Sequence, residues 1–148
     1  MSRTIEDVLN LFPETEAKDW NQHKNGGGWV KTSAHADESA YIAGIVSGNA
    51  QVYGNAQVSD NALVSGDALV SGNARVSGDA RVSGKAWVFG DAWVSGNARV
   101  YGNAQVFDNA LVSGSARVLG SALVYGNAQV SDNARVLGSA QVYGNASS

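Results

Sequence analysis

The stretch VSGNARVSGDARVSGKAW, residues 70–87, consists of three copies of one six-residue unit: valine, any residue, glycine, any residue, alanine, any residue. The unit continues in both directions. Valine stands at every sixth position from Val46 to Val142, and alanine at every sixth position from Ala50 to Ala146, seventeen times each. An unbroken period of this length predicts a repeat architecture, in which each unit is stabilised by its neighbours.

Each hexad is predicted to be one short strand followed by one corner. Alanine and valine are two residues apart, as in Ala74-Arg75-Val76, so both side chains lie on the same face of a strand. The second and third residues after each valine are Gly-Asn, Gly-Asp, Gly-Ser, Gly-Lys or Asp-Asn, which tolerate positive φ and favour tight corners. A helix is excluded, because a period of six places successive valines about 600° apart around a helix.

The repeated Val-x-Gly-Asn/Asp-Ala-x resembles the bacterial hexapeptide-repeat family over about residues 29–148. The resemblance implies an all-β solenoid, a left-handed parallel β-helix of triangular section with about 18 residues per coil and about six coils. Residues 23–42, HKNGGGWVKTSAHADESAYI, also resemble the opening of phage and prophage hexapeptide-repeat proteins that are called acyltransferases. This second resemblance implies that the protein is encoded by a phage or prophage.

The repeat register begins before residue 46. The spacing already holds at Val30, Ala36 and Ile42, but Val46 follows Ile42 by only four residues. Two residues are missing from the period. We therefore predict a tightened corner at residues 43–45.

Residues 1–28 lack the hexad and are predicted to cover the first edge of the sheets. Residues 4–12 combine a potential N-cap, Thr4, with apolar residues at helical spacing, and Pro13 favours the start of a second short helix ending at Trp20. Gly26-Gly27-Gly28 indicates a flexible hinge. The predicted domains are residues 1–28, a helical cap with a Gly-rich hinge, and residues 29–148, the β-helix.

Composition and charge restrict the partners. The chain has no cysteine, no apolar run of membrane-spanning length and no signal-peptide core, which predicts a cytoplasmic protein, in the host cytosol if it is phage-encoded, without a membrane partner. The net charge of −3 lies within residues 1–45, whereas residues 46–148 carry six basic and six acidic side chains. A neutral repeat region disfavours general nucleic-acid binding.

The sequence offers little for catalysis. The resemblance brings two kinds of enzyme into consideration: transferases with a histidine base, and carbonic anhydrases with three histidines around zinc. Because His23 and His35 are the only histidines, we expect neither a metal site nor a cofactor. No hexad between residues 46 and 148 contains an insertion that would form a substrate loop. His35 is the one weak candidate for a general base, in an alternative function as a trimeric hexapeptide acyltransferase using acetyl-CoA.

With three hexads per coil, residues 18 apart stack in columns, and the outward positions form three unlike faces. The serine face carries Ser59, Ser77, Ser95, Ser113 and Ser131 beside Gln57, Arg75, Trp93, Leu111 and Gln129. The arginine face carries Ile45, Leu63, Arg81, Arg99, Arg117 and Arg135 beside Ser83, Tyr101, Leu119 and Leu137. The aromatic face carries Tyr53, Ser71, Phe89, Phe107, Tyr125 and Tyr143 beside Leu69, Trp87 and Leu123.

The aromatic face predicts an interface. Contiguous exposed apolar patches mark binding sites, and rigid aromatic side chains are preferred anchors. The competing interpretation is that aromatic residues simply suit strands and shield the backbone ladder. The sequence therefore favours a non-catalytic scaffold that binds itself, as a dimer or trimer, or a host or virion protein, acting as a structural component or as an inhibitor of a host system. The predicted partner-binding residues are Leu69, Trp87, Phe89, Trp93, Phe107, Leu123, Tyr125 and Tyr143.

The arginine column has two interpretations. Guanidinium groups stacked about 5 Å apart repel one another. They form either a solvated ladder or an anion-binding strip for phosphate, an acidic protein or, as a less expected partner, nucleic acid. The residues concerned are Arg81, Arg99, Arg117 and Arg135.

The last hexad begins with Gln141, Val142 and Tyr143, and no charged residue occurs after Arg135. Bare strand edges without charge recruit further strands. The sequence predicts that Gln141, Val142 and Tyr143 stack end to end on a second copy.

Overall fold

The structure is a computed structural model that describes residues 4–145. Within this range the helix α1 spans Ile5–Leu11 and a single 3₁₀ turn spans Ala17–Asp19. The strands are β1 (Trp20–Gln22), β2 (Trp29–Lys31), β3 (His35–Ala36), β4 (Tyr41–Ile42), β5 (Ile45–Val46), β6 (Gln51–Val52), β7 (Gln57–Val58), β8 (Leu63–Val64), β9 (Leu69–Val70), β10 (Arg75–Val76), β11 (Arg81–Val82), β12 (Trp87–Val88), β13 (Trp93–Val94), β14 (Arg99–Val100), β15 (Gln105–Val106), β16 (Leu111–Val112), β17 (Arg117–Val118), β18 (Leu123–Val124), β19 (Gln129–Val130), β20 (Arg135–Val136) and β21 (Gln141–Val142).

The strands from β2 onwards form three parallel sheets, and each coil contributes one strand to each sheet. The sheet of the arginine face has the order β1-β2-β5-β8-β11-β14-β17-β20, that of the aromatic face β3-β6-β9-β12-β15-β18-β21, and that of the serine face β4-β7-β10-β13-β16-β19. Pairing is strictly periodic: Arg75 lies opposite Gln57 on one side and Trp93 on the other. The predicted β-solenoid, with about 18 residues per coil and about six coils, is confirmed.

The first coil is shorter, as the sequence predicted. Trp29 pairs with Ile45 and Ile45 pairs with Leu63, so the first interval is two residues shorter than the second. The two missing residues come from the corner between β4 and β5. There the N–H groups of Ala43 and Gly44 both donate to the carbonyl of Val58, at 2.8 and 3.1 Å. The tightened corner is confirmed.

The alanine and valine columns form the core. From Val46 to Val130 every valine of the repeat is fully buried, and the alanines from Ala50 to Ala128 are buried with them. Small and branched side chains alternate along each strand and fill the interior between the three sheets. Apart from the positions covered by the N-terminal segment, the outward residues face solvent on all three sides, so the candidate functional surface consists of the columns on the faces.

Coil-to-coil hydrogen bonds continue through the corners. In the strands, Arg75 N–H donates to Ala92 O and Ser77 N–H to Val94 O, both at 2.9 Å. In the corner, Asp79 N–H donates to Gly96 O at 2.8 Å. Strand and corner groups alike are therefore paired with the next coil, which satisfies most of the backbone polar groups of the solenoid.

The corner column demands glycine for two reasons. Gly84 has φ +65°, a left-handed conformation that other residues adopt at a cost, and a Cβ there would lie 2.8 Å from the amide nitrogen of Gly102 in the next coil. Aspartate replaces glycine at Asp60, Asp108 and Asp132, with φ of 56–60°. The carboxylates of Asp60 and Asp108 accept the N–H groups of Gly78 and Gly126 at 3.2 and 3.1 Å. Each of these two carboxylates therefore binds the backbone of the next coil.

The N-terminal segment differs from the sequence prediction. A second helix from Pro13 to Trp20 is not formed: residues 13–14 make a turn, the 3₁₀ turn follows, and Trp20 begins β1, which pairs antiparallel with β2. The reason is tertiary. The β1 backbone covers the open edge of β2, while the Trp20 ring packs against Phe12 at 5.1 Å and donates from Nε1 to Thr15 Oγ1 at 2.9 Å.

Helix α1 lies on the arginine face. Thr4 caps it by accepting the N–H of Asp7 at 3.2 Å, and the Asp7 carboxylate accepts the N–H of Thr4 at 3.1 Å. Val8 is fully buried in a small core with Trp20 and Ile45. The outward residues Ile45 and Leu63 are thus covered by the chain's own helix, whereas the arginines above them are not.

The glycine run connects β1 to β2 and is packed against the solenoid. Gly28 N–H donates to Ile42 O at 2.6 Å, and a Cβ at Gly28 would lie 2.4 Å from Gly44 O. Glycine is required here for close approach of two backbones. The division of the chain at residue 28 stays a prediction. Within residues 4–145 no helix has the length and apolar character needed to cross a membrane.

The corner geometry predicts unequal effects of one substitution at two glycines. Gly84 and Gly138 have nearly the same φ, +65° and +64°, but a Cβ at Gly138 meets nothing within 4 Å. Both Gly→Ala changes carry the left-handed backbone cost of about 1–2 kcal/mol. Gly84→Ala must also push the next coil away, so we expect it to lower the free energy of unfolding by about 1 kcal/mol more. Urea denaturation of the two variants measures the difference. Equal losses would contradict the steric explanation.

Candidate binding faces of the solenoid

Four aromatic rings stack along the aromatic face. The centroids of Phe89 and Phe107 are 4.9 Å apart, those of Phe107 and Tyr125 5.0 Å, and those of Tyr125 and Tyr143 5.3 Å, with interplanar angles of 2°, 4° and 12°. These spacings follow from the separation of neighbouring strands, about 4.8 Å. Trp87 adds a fifth ring, edge-on to Phe89 at 6.2 Å. We call Trp87, Phe89, Phe107, Tyr125 and Tyr143 the aromatic stack.

The stack is only partly shielded from solvent. Phe89, Phe107 and Tyr125 are half-buried by one another, but Trp87 is 45% exposed and Tyr143 is 56% exposed. Leu69 lies directly below Trp87 in the same sheet, and Leu123 lies two coils above it, beyond Gln105. The structure therefore brings together seven of the eight residues predicted to bind a partner.

The eighth residue, Trp93, lies on the serine face. The Trp93 ring is 43% exposed, and its Nε1 donates to Ser77 Oγ at 3.1 Å. The guanidinium of Arg75 lies over it, 5.5 Å from the ring centroid. This cation–π contact was not predicted from the sequence, although Arg75 and Trp93 stand one coil apart in one column, which is the signal that could have revealed it.

The four arginines of the column are in register, and within residues 4–145 none of them forms an ion pair. Arg81 pairs with Arg99, Arg99 with Arg117, and Arg117 with Arg135, and all four side chains are exposed. In the part of the chain that the structure describes, the ion pairs are Lys18–Glu16 and His35–Asp37, so none of the four arginines contacts a carboxylate. Neighbouring rungs of the column therefore repel one another.

A cleft marks the place where α1 ends and the arginine column begins. It has a volume of about 240 Å³ and is lined by Leu11, Phe12, Ile45, Asn61, Leu63 and Arg81. Leu11, the last residue of α1, remains 55% exposed at its edge. The sequence did not predict this cleft, because it placed the helix over the end of the solenoid and not on a face.

His35 lies at the first coil of the aromatic-face sheet. Its Nε2 is 2.8 Å from Asp37 Oδ1, and its ring packs against Tyr53 with the centroids 5.2 Å apart. Beside it is a cleft of about 280 Å³, also lined by Asn21, Gln22, His23, Lys24 and Glu38. Within residues 4–145 no three His, Asp or Glu side chains are placed to hold a metal ion together.

His23 holds the N-terminal segment to the solenoid. Its Nε2 donates to the carbonyl oxygen of Asp37 at 2.9 Å, and its Nδ1 accepts the N–H of Asn25 at 3.2 Å. Both ring nitrogens are therefore used in backbone hydrogen bonds. His23 has a structural position in this cleft, while His35 presents an exposed ring beside it.

Asp37 is held ionised by its hydrogen bonds. The backbone N–H of Gly54 donates to Asp37 Oδ2 at 2.9 Å, and His35 contacts the other oxygen. The Gly54 hydrogen bond, followed by the one from His35, holds the pKa of the Asp37 carboxyl below its ordinary value. A carboxyl with a lowered pKa stabilises the folded state at neutral pH, and this contribution disappears as the pH falls through that pKa.

The residues predicted to stack end to end lie at the outer edge of the aromatic-face sheet. Gln141 and Val142 form β21, which pairs with β18, and within residues 4–145 no strand lies on its other side. Val142 is only half-buried, unlike the earlier valines. The stacking of Gln141, Val142 and Tyr143 on a second copy stays a prediction.

We expect Asp37→Asn to remove the pH dependence that Asp37 contributes. At neutral pH the variant is less stable than the wild type, because the neutral amide binds Gly54 N–H and His35 more weakly. As the pH falls below the ordinary carboxyl pKa of about 3.9 and then through the lowered pKa of Asp37, the wild-type carboxyl becomes protonated as well, and the difference in melting temperature shrinks. Thermal denaturation between pH 7 and pH 3 measures this convergence. A difference that is constant with pH would show that the carboxylate charge is irrelevant.

Comparison with known proteins identifies one family. The model of the YdcK beta-solenoid repeat matches residues 56–72, 68–84, 74–90, 92–106, 104–120 and 128–144, which together cover just over half of the 148 residues. Each matched segment is about one coil long and lies within the regular part of the solenoid. No curated protein and no solved structure matches the chain.

Proposed function

The chain belongs to the YdcK beta-solenoid repeat family, and we propose that it uses this architecture as a non-catalytic scaffold that binds a macromolecular partner, a second copy of itself, or both. The observation that carries the proposal is the aromatic stack, with its near-parallel rings and the exposed Trp87 and Tyr143. A scaffold needs a rigid support and anchor residues, and this face combines the two.

The anchors are pre-organised. The four parallel rings lie 4.9–5.3 Å from their neighbours, and Trp87 lies 6.2 Å from Phe89. Every strand beneath them except the edge strand β21 is hydrogen-bonded to the coils on both sides. Binding therefore requires little further ordering of side chains, which is a main cost of association. Aromatic side chains held in this way are the residues that dominate binding energy at protein interfaces.

A second copy is the partner best matched to this face. Two identical faces have the same spacing between rungs, so ridges of rings on one copy meet the grooves between rungs on the other. A twofold axis would bury both patches at once and close the assembly. We therefore propose that the dimer or trimer expected from the sequence forms through the aromatic face.

Two acidic substitutions test the association. We expect Trp87→Asp combined with Phe107→Asp to convert an assembled wild type into monomers, because charge at the centre of an apolar interface is left without a partner. Light scattering coupled to gel filtration at micromolar concentration measures the mass. Leu111→Asp with Gln129→Asp, on the serine face, is the control that should remain assembled. A wild-type mass equal to the chain mass of 15.3 kDa would exclude self-association.

The biological setting belongs to the same proposal. The resemblance of residues 23–42 to phage and prophage proteins supports a role as a virion component or as an inhibitor of a host system, in the cytosol of the infected cell. Affinity purification from lysogenic cells distinguishes the two roles, since the first would recover virion proteins and the second a host enzyme.

The pair formed by His35 and Asp37 favours a second candidate function. A histidine oriented by a carboxylate beside a cleft is the arrangement of a general base, which supports the alternative of a trimeric acyltransferase using acetyl-CoA. The scaffold proposal expects no saturable heat signal when acetyl-CoA is titrated into the protein. Saturable binding that His35→Ala or Asp37→Asn abolishes, together with acyl transfer, would favour the enzyme.

A further inference from the structure

We propose that the exposed part of the arginine face docks an amphipathic α-helix of a partner protein, one that carries an acidic side chain in each turn beside a strip of apolar side chains. The inference rests on the scaffold function but uses a different face from the aromatic stack. It names the kind of partner that the second face fits.

The first support is unbalanced charge. Arg81, Arg99, Arg117 and Arg135 occupy four successive rungs, about 4.8 Å apart, and none has a carboxylate partner in the described range. In a parallel ladder every arginine faces a like charge above or below it, which is destabilising. A row of carboxylates on a ligand would remove this repulsion and gain attraction at each rung.

The second support is an apolar strip beside the charges. Two residues after each arginine, on the same outward side, the column continues as Ser83, Tyr101, Leu119 and Leu137. Tyr101 and Leu119 are half-buried, and Leu137 is 53% exposed. The face therefore presents a basic strip and an apolar strip side by side, which is the complement of an acidic amphipathic helix.

The third support is that this sheet already holds a helix. The apolar side of α1 packs on Ile45 and Leu63, the lower members of the column that continues with Arg81. Where α1 ends, the cleft of about 240 Å³ between Leu11 and Arg81 leaves apolar surface open at the start of the arginine column. A partner helix would extend a packing arrangement that the fold uses within its own chain.

The spacing of the rungs favours a helix over an extended peptide. Side chains three or four residues apart on a helix are about 5–6 Å apart, close to the rung separation, whereas same-side residues of a strand are about 6.6–6.8 Å apart. Over three intervals, the side chains of a helix fall out of step with the arginine rungs by roughly 2 Å, whereas those of a strand fall out of step by roughly 6 Å. Nucleic acid is a weaker fit, because half of the face is apolar and the repeat region has no net charge.

Arg99→Glu is the decisive variant, because it separates binding from stability. It replaces two like-charge contacts, with Arg81 and Arg117, by two opposite-charge contacts, so we expect a higher melting temperature. The same change should weaken helix binding by roughly three- to tenfold, since one attraction is lost and one repulsion is added. A more stable protein that binds less well cannot be explained by unfolding.

The probe is a fluorescein-labelled peptide of about 18 residues with leucines along one helical face and one glutamate per turn beside them. Fluorescence anisotropy measures its affinity, and circular dichroism its gain in helicity on binding. A scrambled peptide of the same composition and a labelled deoxythymidine oligonucleotide are the comparison ligands. Arg75→Glu, the same change of charge on the serine face, is the control variant and should alter the affinity by less than about twofold.

The expected result is saturable binding of the designed peptide, with induced helicity, that Arg99→Glu weakens and Arg75→Glu does not. Equal affinity for the scrambled peptide, preference for the oligonucleotide, absence of binding, or insensitivity to Arg99→Glu would each overturn the proposal. The aromatic-face variant with Trp87→Asp and Phe107→Asp should still bind the peptide, and Arg99→Glu should leave the oligomeric mass unchanged. The two proposals therefore fail separately.

Discussion

The coil-to-coil backbone hydrogen bond is the constraint on which the rest of this structure depends. It is repeated in strands and corners alike, and it holds successive coils at the separation of neighbouring strands, about 4.8 Å. Once that separation is fixed, a residue has the same neighbours as its equivalents in the coils above and below. Corners must then accept a left-handed backbone with almost no space above it, which is why glycine recurs. A Cβ at Gly84 would lie only 2.8 Å from the amide nitrogen of Gly102 in the next coil. The six-residue repeat in the sequence follows from this fixed separation between coils.

The same constraint turns single residue choices into extended surfaces. A ring placed in every coil stacks on the next ring, and the contact stabilises both, as between Phe89 and Phe107. A charged residue placed in every coil lies next to like charges in the neighbouring coils, and their repulsion lowers stability, as between Arg99 and Arg117. The aromatic stack therefore stabilises the fold and also offers a binding surface. The arginine column does not stabilise the fold, so stability does not explain its presence. Local features that oppose stability are where functional surfaces are expected.

The histidines and the clefts of this protein occur where the six-residue period is interrupted. The shortened first coil and the residues before it supply both histidines, the helix α1 and two clefts that lie against them. A regular coil buries its inward side chains completely and presents nearly flat faces, so concave sites are difficult to build within it. The irregular N-terminal segment creates concavity by packing other elements against the solenoid, at His35 on one side and at Leu11 and Arg81 on another.

The sequence by itself determined the solenoid, the strand and corner of each hexad, the inward alanine and valine columns, the shortened corner before Val46 and the composition of the three faces. It could do so because the interactions that define them are repeated at a fixed interval, so that position along the chain is equivalent to position in space. Only the tertiary structure decided the rest. Trp20 begins strand β1 and does not end a helix. Helix α1 covers Ile45 and Leu63 on the arginine face. The Trp93 side chain contacts Arg75 and Ser77. The first two of these contacts involve the N-terminal segment, which lies outside the repeat, so no period relates sequence separation to distance there. The third depends on a side-chain orientation that the period leaves open.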